Sequence, residues 1–596
     1  MRFSSVSEFV RYCMRFEPQE GNPLVEVYRH DVVIVGGGGA GLRAAIAAVE
    51  ADPKISVAMV SKVYPMRSHT VSAEGGAAAY VPGSEDSLEK HFYDTVKGSD
   101  FLADQDCAEY FVGQATPELT LLEHWGCPWS RNDDGTVATR PFGGMTVPRT
   151  WYAADKVGFH MLHSLFQHSM RFDRIVRYDE NFVTRILVDD GVCRGVVAID
   201  IRSGVMRMFL GRAVILATGG AGKCFPFTTN GTIKTGDGMA LAYRAGVGLK
   251  DMEFLQYHPT GLPGTGILIT EASRGEGGYV LNSEGERFLV TRDYGVGQKA
   301  ELGPRDMISR AEILEIEAGR GLQGPYGEYV LLDLRHLGEA KIMAKLPFVR
   351  ELARTYIGVD PVYEPIPIRP VVHYMMGGVD TDIRGATTIP GLYAAGETAC
   401  VSMNGANRLG SNSLTECLVF GARAGVEAAA YAKGSADGNE ARLRSEAETE
   451  GARIDALRGR KKGGEKMSVI RHEMQVSMER GCGVYRKQES MNQTVAELAP
   501  LKGRYADLVL EDTSKVFNTE VLQALELGNM LDVAESIAIA AAARRESRGA
   551  HACRDYPKRN DAEFLHHSMM FFTPAGPRLD KKAVTITRFQ PEERKY

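Results

Sequence analysis

The sequence predicts an α/β fold: a Rossmann-like domain interrupted by an inserted α+β capping domain, followed by a helical domain and a short C-terminal domain. Three observations carry this. Val32-Val-Ile-Val35 leads into Gly36-Gly-Gly38-Gly-Ala-Gly41 and then Leu42-Arg-Ala-Ala-Ile-Ala-Ala-Val49, which is the order strand, tight turn, helix. Two later apolar strands run into glycine turns, at Ala213-Val-Ile-Leu-Ala-Thr-Gly-Gly220 and Gly391-Leu-Tyr-Ala-Ala-Gly-Glu397. From about residue 433 the composition shifts to Ala, Glu, Arg and Lys, with Ile470, Met474 and Met478 at helical spacing.

Taken in order, Met1 to Arg29 has no apolar secretion segment and carries Glu8, Glu17 and Glu20. Ser5-Val-Ser-Glu8 reads as a capping box, with Phe3, Val6, Val10 and Cys13 or Met14 on one helical face. An accessory helix packed on its own subunit is a simpler reading than a partner-docking one. The expected divisions are 1–251 and 371–432 for the nucleotide domain, 252–370 for the capping domain, 433–556 for the helical domain and 557–596 for the C-terminal domain.

In the loop, Gly36 permits the turn, Gly38 lets backbone approach a pyrophosphate and Gly41 allows close helix packing. The helix N-terminus offers N–H groups to the anion. In a chain with 65 glycines one such loop is weak evidence, but its flanking strand and helix favour a nucleotide. The second strand, Ser56-Val-Ala-Met-Val60, ends in Ser61-Lys62 without the acid that holds an NAD ribose. With no second such loop, a single bound dinucleotide is expected, and FAD fits it best.

Composition narrows the class. The 596 residues are 44% hydrophobic and 24% charged, with a net charge of −6, which argues against nucleic acid as the main partner. No apolar run approaches the roughly 20 residues of a membrane helix. The most apolar stretch, Val533 to Ala543, contains Glu535 and runs into Arg544-Arg545. The nine cysteines never form the CxxC pairs typical of iron–sulfur or zinc sites and read as reduced thiols, so no metal site is expected. A flavin passing single electrons would need an acceptor on another chain.

Further motifs resemble the flavoprotein subunits of fumarate reductase and succinate dehydrogenase, the complex II group, over nearly the whole chain from Asp31. They are Arg67-Ser-His-Thr-Val-Ser-Ala-Glu-Gly-Gly76, Gln256-Tyr-His-Pro-Thr-Gly261, Thr270-Glu-Ala-Ser-Arg-Gly-Glu-Gly-Gly278, Leu302-Gly-Pro-Arg-Asp306, His373-Tyr-Met-Met-Gly-Gly378, Asn404-Gly-Ala-Asn-Arg-Leu-Gly-Ser-Asn-Ser413 and Glu546-Ser-Arg-Gly-Ala-His551. Val63-Tyr-Pro-Met66, Trp125-Gly-Cys-Pro-Trp-Ser130 and Phe142-Gly-Gly-Met145 look more like the fumarate reductase branch.

The resemblance implies FAD bonded covalently through His69, which raises the flavin potential. It also implies two carboxylate clamps for a C4 dicarboxylate, His258 with Thr270 and His373 with Arg408; Arg suits bidentate carboxylate binding. By the same resemblance fumarate and succinate interconvert by hydride transfer at FAD N5, Arg305 donates the proton, and Glu271 with Arg274 reprotonates it. The plainer reading of Arg305 is a salt bridge to Asp306 or to a substrate carboxylate. Thr235-Gly-Asp237 and Glu397 resemble positions that bond FAD hydroxyls, and Ser413 and Leu414 fall where backbone meets the flavin ring. Lys62, Ser68, Thr70 and Gly76 line its other side, with Ser61 and Gly75 beside them in the same segments.

Implied partners are an iron–sulfur subunit and membrane anchor subunits that carry quinone and can carry haem. They would hold the chain on the cytoplasmic face of a bacterial inner membrane. A soluble L-aspartate oxidase shares the clamps but normally lacks the flavin-linking His, so Arg67-Ser-His69 counts against it. An FAD-containing RNA-binding methyl transferase predicts a basic surface, which this acidic chain does not suggest.

Overall fold

The computed structural model describes residues 25–460 and 464–595. The capping box and helix expected between Phe3 and Met14 lie outside the described residues. Strand Val32–Val35, buried at every position, is the centre of a parallel five-stranded sheet. Its order is Leu392–Ala394, Ala213–Leu216, Val32–Val35, Val57–Ser61, Ile175–Asp179. Strands covered on both faces carry continuous apolar runs, which is why four of them stood out in the sequence.

Helix Gly39–Ala51 returns tightly along this sheet. A Cβ on Gly41 would lie 2.0 Å from the Gly36 carbonyl oxygen. Gly36 itself has φ +116°, and a Cβ there would lie 2.2 Å from the Ala217 oxygen. Only glycines allow that approach of helix to turn. The long helix Asn412–Gly434 packs against the same helix, with Gly421 and Gly425 facing the backbone of Ala40 and Ala44. Strand Val25–Arg29, for which the sequence predicts no strand, pairs parallel with Met206–Leu210 in a second sheet completed by Val192–Asp200 and Asn181–Asp189.

A third, antiparallel sheet carries the inserted region in the order Leu255–Gly261, Ile366–Met375, Val330–Asp333, Tyr279–Leu281. The division expected at 370 falls inside its strand Ile366–Met375. Two irregularities lie where Leu255–Gly261 meets this strand. Gln256 opposes Tyr374 and Tyr257 opposes Val372, leaving His373 as an extra residue. His258 opposes Val371 and Gly261 opposes Arg369, so Pro259 and Thr260 face Pro370 alone. Neither proline has an N–H for the ladder, and bulges of this kind re-aim neighbouring side chains.

Helices Glu440–Arg458, Met467–Cys482, Gln488–Ala506 and Thr519–Ala543 form the helical region, with Ile470, Met474 and Met478 buried as their spacing predicts. Among the described residues no helix is long and apolar enough to cross a membrane. The C-terminal segment adds a hairpin, His566–Phe571 and Arg578–Ala583, to a sheet whose other strands are Leu249–Lys250, Gly378–Asp380 and Ala399–Cys400. So short a segment has too little apolar surface for a core of its own and borrows that of the main body.

His567 fixes this hairpin from within. Its Nδ1 lies 2.7 Å from Asp251 Oδ2 and its Nε2 3.2 Å from Asp104 Oδ1, and the ring is fully buried. Burial alone would lower its pKa, but Asp251 and Asp104 outweigh burial and raise it from 6.5 to about 9. A folded-state pKa above the unfolded one adds stability that is complete below pH 6.5 and is lost as pH rises through about 9. The wild-type thermal midpoint should therefore fall between these pH values by the equivalent of about 2–3 kcal/mol. The His567→Gln variant should start lower and lack this component; a wild-type and variant difference that stays constant with pH would contradict the assignment.

Candidate active site

A cavity of about 700 Å³ runs from the glycine loop to the capping sheet. All the site residues expected from the sequence line it except Gly41, Arg274 and, in the Thr235-Gly-Asp237 segment, Thr235 and Gly236. Gly41 packs behind the loop, and Arg274 lies behind Glu271.

At the nucleotide end, Gly38 caps helix Gly39–Ala51, and the Gly39 N–H donates to Thr70 Oγ1 (3.1 Å). Lys62 Nζ reaches Asp237 Oδ2 (2.6 Å), Glu526 Oε1 (2.7 Å) and Thr235 Oγ1 (2.9 Å). Asp237 Oδ1 also accepts from Thr235 and Asn529 (both 2.9 Å), so protein donors already occupy much of a carboxylate expected to meet FAD. Glu397 pairs with Lys234 and accepts the Met375 N–H (3.1 Å). Ser413 and Leu414 lie in the first turn of helix Asn412–Gly434, behind Ser411 at φ +62°. At Gly76, φ +147° and a Cβ position 2.3 Å from Thr150 Cγ2 bring bare backbone to the cavity wall.

His69 opens the short turn His69–Ser72, and its Nδ1 accepts the Gly231 N–H at 3.4 Å. Desolvation, then Lys234 and Lys223, lower its pKa to about 3. The imidazole is therefore neutral, with Nδ1 engaged and Nε2 left for another group.

The opposite end is a cluster of buried cations. Arg305, first in helix Arg305–Glu315, donates through Nε to Glu271 Oε2 (2.6 Å) and through Nη1 to Gln256 Oε1 (3.1 Å). The same Gln256 oxygen accepts from Arg408 Nη2 (3.1 Å). Arg408 otherwise donates to the Leu409 carbonyl (3.3 Å) and lies over the Tyr374 ring. None of these is an anion, and its Nε has no partner. Desolvation, then Arg305, lower the Arg408 pKa to about 10. Glu271 accepts the Gly143 N–H (2.6 Å) and lies 3.8 Å from Arg274 Nη2. Burial would raise its carboxyl, but Arg305, Arg274 and Gly143 hold it below the usual range. Arg305 does not pair with Asp306, which is taken by Arg310 and Arg594.

His258 and His373 stand side by side with ring centroids 4.9 Å apart. Burial, then Arg305, hold both well below their ordinary pKa. Thr260 N–H donates to His258 Nδ1 (3.2 Å), which assigns the ring proton to Nε2; that nitrogen is buried and has no partner. His373 Nδ1 meets Thr229 Oγ1 at 2.8 Å. Thr270 Oγ1, in the adjoining wall, accepts the Ala272 N–H (3.3 Å). The pocket thus offers a neutral donor and two guanidinium groups with one carboxylate, a composition that calls for an anionic ligand.

Sequence reasoning assigned no role to Gln256, Gly143, Thr229, Lys234 or Gly231. Gln256 was within reach: two residues before His258 on a strand, it shares that histidine's face. The motif Glu546 to His551 lies elsewhere, in a buried network in which Glu546 pairs with Arg544 and Arg548 and Arg544 pairs with Glu253.

The parallel sheet with its glycine loop defines a nucleotide-binding α/β protein, whose cleft reaches the buried guanidinium cluster. Residues 31–414 match the FAD binding domain, and residues 471–596 match the fumarate reductase flavoprotein C-terminal model. The fumarate reductase flavoprotein subunit of Mycobacterium tuberculosis (strain ATCC 25618 / H37Rv) is 57% identical over 95% of this chain and 99% of its own. That of Escherichia coli (strain K12) is 51% identical over 96% of each. The structure of E. coli quinol fumarate reductase flavoprotein superposes with a TM-score of 0.93 at 51% identity, covering 96% of this chain and 99% of that one. The chain belongs to the family of fumarate reductase and succinate dehydrogenase flavoprotein subunits.

An unpaired buried guanidinium makes a testable demand. Saturating small dicarboxylate, at a hundredfold excess over its Kd, should stabilise the protein by about 2.7 kcal/mol, seen as a raised thermal midpoint. In Arg408→Met that rise should vanish while the ligand-free midpoint stays the same or increases. A variant that keeps the full ligand-induced rise would remove Arg408 from the anion site.

Proposed function

We propose that this chain is the FAD-carrying catalytic subunit of a quinone-linked complex that interconverts fumarate and succinate. The observation that carries this reading is Arg408, buried, hydrogen-bonded to neutral groups and sharing the Gln256 oxygen with another guanidinium, beside two histidines held uncharged. Arg408 and His373 would bind one carboxylate, and His258 Nε2–H with Thr270 the other. FAD, when bound, supplies a hydride donor or acceptor at its N5. The cleft between the glycine loop, Glu397 and Ser413-Leu414 suits it: bare glycine backbone and a helix N-terminus face the cavity at the end where a pyrophosphate is expected.

Arg305 is assigned the proton that reaches substrate carbon in fumarate reduction. An ordinary guanidinium has a pKa above about 12 and is a poor acid, so a nearby group must return its proton at once. Glu271, 2.6 Å from Arg305 Nε, is in position to do so, with Arg274 behind it. In succinate oxidation the same groups take the proton in the reverse order.

His69 is the proposed covalent anchor for FAD. Its neutral ring, with Nδ1 turned to Gly231, leaves Nε2 for the bond. The aspartate oxidase reading has no counterpart to this anchor. Two structural relatives are quinol-fumarate reductases, one with menaquinol molecules. By analogy this chain passes electrons to an iron–sulfur subunit and, through membrane anchors, to quinone, at the cytoplasmic face of a bacterial inner membrane.

Arg305→Gln should reduce turnover in both directions by about a thousandfold with a much smaller change in KM, measured with viologen and dye assays; wild-type turnover would refute the assignment. After acid precipitation flavin should stay with wild-type protein and appear entirely in the supernatant of His69→Ser. Complete release from the wild type would exclude the covalent bond.

A further inference from the structure

We propose that Glu312 is the proton store of the Arg305–Glu271–Arg274 relay, a positioning residue that exchanges its proton with that relay through an ordered water beside Arg274. The proposal rests on the role assigned to Arg305. Glu312 belongs to the same helix, Arg305–Glu315, seven residues after Arg305. Two turns place it on the same helical face, about 10 Å along the axis.

Glu312 has no accessible surface, and neither of its carboxyl oxygens has a hydrogen-bond partner. Arg274, from the short helix Ala272–Gly275, is the charged group that acts on it, and Arg274 Nε and Nη2 are themselves buried without hydrogen-bond partners. Two orphaned donors and two orphaned acceptors, not in direct contact, are the polar surroundings in which a buried water finds enough partners.

Three carboxyls act on Arg274, and they differ in what they can carry. Glu271 is bonded to Arg305 and Gly143 and is held ionised. Glu301 is gripped by Arg287 through both oxygens, each at 2.7 Å. Glu312 is gripped by nothing, and burial pushes its carboxyl well above the ordinary range against the pull of Arg274. It is the one acid of the three whose surroundings favour the protonated form.

In fumarate reduction Arg305 gives one proton to substrate carbon, and Glu271, protonated through Arg274, restores it. Arg274 yields a proton to Glu271 and is reprotonated at the same nitrogen through the water, so it begins and ends the cycle as a cation. The proton leaves the Glu312 carboxyl by way of the water, and the carboxylate left behind is stabilised by Arg274 until solvent reprotonates it. One proton enters and one leaves, so charge balances over the cycle. Succinate oxidation runs the chain backwards.

The test uses the assembled holoenzyme. Glu312→Gln keeps the shape and neutrality of the protonated acid but cannot release a proton. It should lower kcat about tenfold, leave KM within about twofold, and raise the solvent deuterium isotope effect on kcat. Covalent flavin content and flavin potential should not change. Glu312→Asp, which keeps the acid, should recover part of the rate and serves as the second variant if Glu312→Gln misfolds. Wild-type kcat and isotope effect in Glu312→Gln would reduce Glu312 to a neutral filler of the core. Arg305→Gln, run alongside, separates the two readings. If it is inactive while Glu312→Gln is normal, only the proton store is lost; if it too is active, the parent assignment falls.

Discussion

Excess positive charge in a buried place governs this molecule. Arg274, Arg305 and Arg408 are buried together, with Glu271 the carboxylate hydrogen-bonded among them. Repulsion between such groups is less screened than at the surface. The neutrality of His258 and His373 follows, because a further cation there would be costly. Gln256 is the device that makes the crowding tolerable: its carbonyl oxygen serves two guanidinium groups, and its amide nitrogen is tied to Asn407 Oδ1 and the Arg408 carbonyl. On the proposed function a dianionic ligand would supply the charge the fold leaves out, so that binding and electrostatic relief would be one event.

The scaffold delivers these groups by irregularity. A perfect ladder between Leu255–Gly261 and Ile366–Met375 would alternate His373 with its neighbours; the extra residue breaks that alternation. The capping region is also tied to the nucleotide side. Asp155, on the cavity wall, accepts the N–H groups of Phe348 (2.7 Å) and Val349 (3.3 Å) at the start of helix Pro347–Ile357. A carboxylate at a helix N-terminus is a favourable contact, yet it involves only one side chain and can be remade.

Much of this was legible in the residues. Continuous apolar strands with glycine turns announced the parallel sheet, and dense motifs announced the cavity lining. What stayed hidden depended on partners distant in sequence. His567 reads as one of two adjacent histidines until the fold brings Asp104 and Asp251 to either side of it. Glu312 lies in a stretch with ordinary helical charge patterning, and only its lack of a partner distinguishes it from Glu315, which is equally buried but pairs with Arg320. The expected boundary at 370 falls inside Ile366–Met375, one continuous strand that serves capping sheet and cavity alike. Strand Val25–Arg29 was missed because its partner, Met206–Leu210, lies far along the chain.

The position of the C-terminal hairpin bears on how the fold is completed. Its strand His566–Phe571 lies against Leu249–Lys250, whose other neighbour is Gly378–Asp380, so one sheet joins the middle of the chain to its end. The nucleotide sheet needs none of these residues, whereas this sheet closes only through contacts far apart in sequence. Until the hairpin docks, Asp251 and Asp104 have no imidazole between them and one edge of Leu249–Lys250 is open. Docking of His566–Phe571 therefore also covers a strand edge that would otherwise be free to pair with a neighbouring molecule.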